Sequence, residues 1–160
     1  MSTTTHETTI EAVADVPAIR IVREFDASPE KVFRAHVEPE LVKQWLGPRG
    51  LTMTIDRWDA QTGGTYRYVH RDDDGEYRFY GSFHEVRPHE RIVQTFTFEG
   101  FPDGVALETM TFTDLGDGRT RIVGSSTFET FEGRDSALAS GMEIGVNEGF
   151  EQLDELLARS

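Results

Sequence analysis

Cysteine is absent from this chain, which removes disulfides, thiolate metal ligands and a thiol nucleophile together. Basic residues are scarce. Lys and Arg number 16 against 29 Asp and Glu, a formal net charge of −13. That balance argues against a nucleic-acid binder, whose phosphate contacts need clustered Lys and Arg. It argues equally against docking on an anionic membrane surface. No run approaches the roughly 18 apolar residues of a membrane-crossing helix. The opening residues, MSTTTHETTIEAVADVPA, have neither the basic start nor the apolar stretch of a signal peptide, so the cytoplasm is the expected compartment.

What is present reads as a folded protein. The hydrophobic fraction is 37%, and eleven Phe, four Tyr and two Trp separate this acidity from that of a disordered chain. A length of 160 residues fits one domain with a real core. Residues 1–17 hold five Thr and three acids, with no Lys or Arg, and read as a flexible N-terminal tail. Residues 18–160 are expected to form a single domain.

Ile19, Ile21 and Arg23 alternate with Arg20, Val22 and Glu24, the period of a strand. Ser28-Pro29-Glu30 then supplies an N-cap and a proline suited to a first helical turn. One short helix is predicted up to Glu38-Pro39, and a second from Pro39 to Leu46, ended by Gly47-Pro48. Six strands follow: Leu51 to Trp58, Thr65 to Arg71, Glu76 to Val86, Arg91 to Phe98, Val105 to Asp114 and Thr120 to Phe128. Turn signals such as Gly63-Gly64, Asp72-Asp73-Asp74-Gly75 and Gly116-Asp117-Gly118 separate them. From Ser136 to Arg159 a 3.6-residue period puts Leu138, Met142, Val146, Gly149, Leu153, Leu156 and Leu157 on one face of a long helix. The expectation is an α+β fold, with this helix laid on an antiparallel sheet of about seven strands.

In order and spacing, several short stretches resemble the activator of Hsp90 ATPase homologue 1-like family, within the START-like (Bet v 1-like, SRPBCC) superfamily. They are Ala27-Ser28-Pro29-Glu30-Lys31-Val32-Phe33, Glu38-Pro39-Glu40-Leu41 leading to Trp45, Gly63-Gly64-Thr65-Tyr66-Arg67-Tyr68, Gly81-Ser82-Phe83-His84-Glu85-Val86, and Ser140-Gly141-Met142-Glu143. The resemblance implies a helix-grip fold, a curved antiparallel sheet around a long C-terminal helix with a cavity between them. It also implies either a ligand-binding protein or, as in the founding members, a chaperone regulator.

Gly141, Gly145 and Gly149 recur every four residues in the predicted helix. Each interior glycine costs roughly 0.8–1 kcal/mol relative to Ala. One reading is that they leave room for a ligand, another that the helix packs close to bulky sheet residues. The leading expectation is non-enzymatic binding of a small, largely apolar molecule. Met142, Gly145, Val146 and Gly149 would form the helix side, Tyr66, Tyr68, Phe83, Phe96 and Phe98 the sheet side, with Trp45 at the mouth. No catalytic residue, metal ligand or cofactor is assigned. His6, His36, His70, His84 and His89 show no metal-ligand spacing, and Asp56 reads as a buried acid or a turn-binding one. Two alternatives stay open. One is a cyclase-like or hydrolase-like enzyme using the Tyr66, Tyr68 and His70 face. The other is an interaction module, acting on a chaperone or pairing with a second copy as a homodimer.

Overall fold

The structure is a computed structural model and describes residues 4–160, so the first three residues of the expected tail lie outside the described residues. Eight antiparallel strands form one sheet: β1 (Thr9–Ala12), β2 (Ala18–Phe25), β3 (Thr52–Trp58), β4 (Thr65–Asp72), β5 (Gly75–Arg87), β6 (Arg91–Phe98), β7 (Ala106–Gly116) and β8 (Arg119–Thr127). Their spatial order is β1-β2-β8-β7-β6-β5-β4-β3. Two short helices, α1 (Pro29–Val37) and α2 (Pro39–Val42), follow β2, and α3 (Phe131–Ala139) and α4 (Met142–Arg159) end the chain. This is the expected α+β helix-grip arrangement, with one strand more than expected. The extra strand is β1, which lies in the segment read as a tail and pairs Ile10 with Ile21. Four residues, Thr9-Ile10-Glu11-Ala12, with Ile10 the one large apolar side chain among them, carry no period strong enough to announce an edge strand.

The predicted long helix is divided. Gly141 adopts φ 88°, in the left-handed region, and separates α3 from α4. Its missing side chain is what lets the chain turn there. Leu138 consequently sits on α3. The cap of α1 is as read: the Ser28 hydroxyl accepts from the Lys31 amide at 3.4 Å, with Pro29 in the first turn.

β2 pairs with β8, not with its sequence neighbours in the meander, so the first long strand lies beside the last. This closure brings Phe25, Ile122, Phe112, Tyr66 and Phe83 into one core beneath α1, α2 and the C-terminal half of α4. Phe150 anchors α4, edge-on to Phe25 at 5.3 Å and stacked on Trp45 at 6.3 Å. Leu153, Leu156 and Leu157 are buried below it. Arg23, only 2% exposed, forms a two-pronged pair with Asp154 at 2.8 and 2.6 Å and lies 4.9 Å over the Phe25 ring. One end of the helix is thus fixed by packing and by charge. The other is looser, for Ile144 is 63% exposed and Met142 and Val146 are only partly buried.

Candidate functional site

The register defines which side chains share the inner face, the one turned to the helices. Alternation along each strand puts residues two apart on the same side. Across the sheet, Tyr66 stands opposite Gly81, Phe83 opposite Gln94, Gln94 opposite Glu108, and Glu108 opposite Ser126. Along β7 this face carries Ala106, Glu108, Met110 and Phe112. A carboxylate therefore sits on the central strands, among side chains that are otherwise mostly apolar.

That carboxylate belongs to a polar row. Gln94 Nε2 donates to Glu108 Oε1 at 3.3 Å, and Ser126 Oγ donates to Glu108 Oε2 at 3.0 Å. Gln94 Nε2 also donates to the Tyr66 hydroxyl at 3.3 Å, and Tyr66 in turn donates to the Thr95 carbonyl at 2.6 Å. The hydroxyl reaches that carbonyl across Gly81, where a Cβ would stand 2.7 Å from it. Desolvation pushes the Glu108 carboxyl above the usual carboxylate range, against the weaker opposing effect of Ser126 and Gln94. Among the described residues no cation stands within ion-pair distance of it. Burial also holds the Tyr66 and Tyr68 phenols far above the ordinary tyrosine value, with the Glu108 charge adding to the effect.

An aromatic row continues from this polar one. Tyr66 stacks on Tyr68 (6.1 Å), Tyr68 on Phe79 (5.2 Å), and Phe79 contacts both Phe96 and Phe98 at 5.3 Å. Exposure rises along it, from 1% at Tyr66 to 38% at Phe98. Phe79, Phe96, Met110 and Val146 are partly buried and pack against the core.

The sequence-predicted set is thus divided by the structure. Phe96, Phe98, Met142 and Val146 lie on accessible surface, while Tyr66, Tyr68 and Phe83 are packed core with 1–5% exposure. Trp45 is not at a mouth. It is 5% exposed, its indole N–H donates to the Ala35 carbonyl at 2.8 Å, and it packs on Phe150 and His36. The helix glycines do not face the sheet. A Cβ on Gly149 would meet the Trp45 carbonyl oxygen at 3.3 Å and the Gly47 main chain at 3.4 Å. One on Gly145 would meet Pro48 Cδ at 3.5 Å. Their small size lets α4 lie close on the 45–48 loop, a contact that helical phase alone does not reveal. Asp56 is 55% exposed and pairs with Arg67, which also holds Glu99, so it is neither a buried acid nor a turn ligand.

Tyr66, Tyr68 and His70 do share a face, but the Tyr66 proton is committed to a main-chain carbonyl. Among the described residues no group of three or more His, Asp and Glu is placed to hold a metal ion. Two surface depressions, of about 90 Å³ beside His6, Asp26 and Asp154 and about 290 Å³ beside Gly50, Thr52 and Arg71, contain none of the predicted ligand residues.

Sequence reasoning missed Glu108, Gln94 and Ser126. The signal was available in the two-residue period, which sets Glu108 in line with Ala106, Met110 and Phe112, and Gln94 between Ile92 and Phe96. Leu107 on the opposite face, 48% exposed, blurs that alternation.

Comparison with known proteins places the chain among relatives of the same architecture. The model of the family described as Activator of Hsp90 ATPase homolog 1-like protein matches residues 26–158. A crystal structure of a protein from Rhodobacter sphaeroides is 26% identical, with a TM-score of 0.87 over 96% of this chain and 100% of that one. A Mycobacterium smegmatis protein is 25% identical, with a TM-score of 0.84 over 94% and 97%. A solution structure from Arthrobacter aurescens is 27% identical, with a TM-score of 0.85 over 95% and 92%. No curated protein matches the sequence.

Proposed function

The chain belongs to the Activator of Hsp90 ATPase homolog 1-like family, and from that premise we propose that it binds a small, largely apolar molecule on the inner face of the sheet, under the N-terminal half of α4. The observation that carries this reading is the partial burial of Phe79, Phe96, Met110 and Val146. These are apolar side chains in line with a core whose members, such as Tyr66, Phe83 and Ile92, are 1–4% exposed. An apolar surface left open beside a few convergent polar groups is the usual make-up of a small-molecule site. The asymmetric anchoring of α4 fits the same reading. Its C-terminal half is held by Phe150, Leu153 and the Arg23–Asp154 pair, which leaves Met142 and Val146 to rest against an occupant. Binding, not chemistry, is the role proposed, and the binding unit is the whole sheet with its helices, including the edge strand β1 that precedes the expected domain of residues 18–160.

The test uses Nile red, a neutral apolar dye, titrated with the purified chain. Saturable fluorescence enhancement is expected, reduced at least about tenfold in affinity by Val146→Trp, which puts a bulky side chain where the ligand is proposed to lie. Far-UV circular dichroism and an unchanged thermal midpoint show that the variant is folded. Absence of saturable binding, or binding indifferent to Val146→Trp in a folded variant, overturns the proposal.

A further inference from the structure

Every hydrogen-bond donor in the polar row except one is committed to a protein acceptor. The Tyr66 hydroxyl donates to the Thr95 carbonyl, and the Ser126 hydroxyl donates to Glu108. The two N–H groups of Gln94 are divided between Tyr66 and Glu108. Both partners of the Glu108 carboxyl thus donate to it, and a carboxyl holding its own proton has one further donor to place. No cation compensates this group among the described residues, and it lies partly accessible between the strands. A neutral acid in such a place is a directional donor in apolar surroundings, where one well-made hydrogen bond orients a ligand.

We infer that Glu108 is the polar recognition point of the site and that the bound molecule is an apolar compound carrying a carbonyl group, whose oxygen accepts a hydrogen bond from the Glu108 carboxyl. The inference rests on the binding proposed above. Met110 on the same strand and Phe96 and Phe79 beyond Gln94 would hold the apolar body. The groups facing Glu108 leave its protonation to set the preference. β4 offers the phenols of Tyr66 and Tyr68, both held neutral. β6 and β8 offer the uncharged Gln94 and Ser126. The inner-face charge of β2, Arg23, is taken by Asp154 of α4, and the looser half of that helix packs the uncharged Val146 against the core. Desolvation favours the neutral carboxyl, so it persists above the pH at which an exposed Glu ionises. Above its titration the carboxylate has no proton to give and repels a carbonyl oxygen.

The test compares two probes of nearly equal shape, 2-acetylnaphthalene and 2-isopropylnaphthalene, titrated into the full chain at pH 5 and pH 8.5. At pH 5 the ketone is expected to bind roughly 3–10-fold more tightly, the worth of one net hydrogen bond. That preference shrinks at pH 8.5. Glu108→Gln retains an N–H donor and keeps a preference that no longer changes with pH. Glu108→Leu brings the two affinities together. Equal binding of both probes to the wild type, or a preference that survives Glu108→Leu, overturns this inference and leaves the apolar site standing. Binding of neither probe at either pH overturns the site itself and the inference with it.

Discussion

Replacing Gly145 and Gly149 one at a time by Ala distinguishes a helix glycine that costs stability from one that permits a contact. Both lie inside α4, where an alanine recovers about 0.8–1 kcal/mol of helix propensity. At position 145 the new methyl meets only Pro48, Cδ at 3.5 Å and N at 4.0 Å, which is ordinary contact. Gly145→Ala is therefore expected to stabilise by about 1 kcal/mol and raise Tm by roughly 2–4 °C for a chain of this size. At position 149 the methyl meets three main-chain atoms at 3.3–3.4 Å. Those atoms have little freedom to withdraw. Gln152 Nε2 donates to the Gly47 carbonyl at 2.9 Å and to the Trp45 carbonyl at 3.3 Å, and Gly47 holds φ 99° against His70. Overpacking of this kind costs about 1–3 kcal/mol. Set against the propensity gain, Gly149→Ala is expected to destabilise by on the order of 1 kcal/mol. Urea unfolding followed by circular dichroism, with equal m values, reads both numbers. The decisive result is the opposite sign. Equal stabilisation by both alanines would show that the 45–48 loop yields freely and that close approach does not hold α4 in place.

The buried pair at the other end of α4 gives a larger effect. Asp154→Ala strips the carboxylate from Arg23, which is 2% exposed and keeps only the Glu24 carbonyl at 2.9 Å, and is expected to cost about 3 kcal/mol. The double variant Arg23→Met, Asp154→Leu should recover most of that loss in the same urea titration. A cost below about 1 kcal/mol for Asp154→Ala refutes the anchoring role. Stability should also fall in acid through His36. Its ring Nδ1–H donates to the Val32 carbonyl at 2.7 Å, its Nε2 is buried without a partner, and burial lowers its pKa from 6.5 to about 4. A depressed histidine keeps its neutral form in the fold while the unfolded chain takes up the proton, so the contribution is complete above pH 6.5 and disappears towards pH 4. The loss amounts to about 3 kcal/mol. Subtracting the pH profile of His36→Leu isolates it from the carboxylate pairs, and identical profiles between pH 4 and 7 would refute it.

Local chemistry was legible wherever a short-range rule governs it. The Ser28-Pro29 cap, the strands β3 to β8 within a residue or two and the apolar stripe of Leu153, Leu156 and Leu157 all follow from periods and turn residues. Helical phase also placed Met142 and Val146 on the same side as that stripe. It misread the glycines, because phase gives an angle about the axis and not the identity of what lies there. Gly145 and Gly149 point within about a third of a turn of Val146 by the helical repeat, yet they meet a loop about a hundred residues earlier in the chain. Trp45 was misread for the same reason: nothing near it in sequence announces Phe150.

By itself the sequence determined the class of the protein. Its missing cysteines exclude disulfide and thiol chemistry, and its alternating strand and helix periods settle the α+β order of elements, since each depends on composition or on neighbours a few residues apart. Only the tertiary structure decided the surroundings of Glu108. Glu108 became a partly enclosed, uncompensated acid because β6 and β8 bring Gln94 and Ser126 to either side of it, and because β8 is itself held against β2 from the far end of the chain. Burial and pairing across such distances are properties of the assembled sheet. A carboxylate on a strand looks the same in the sequence whether water or a hydrophobic core surrounds it.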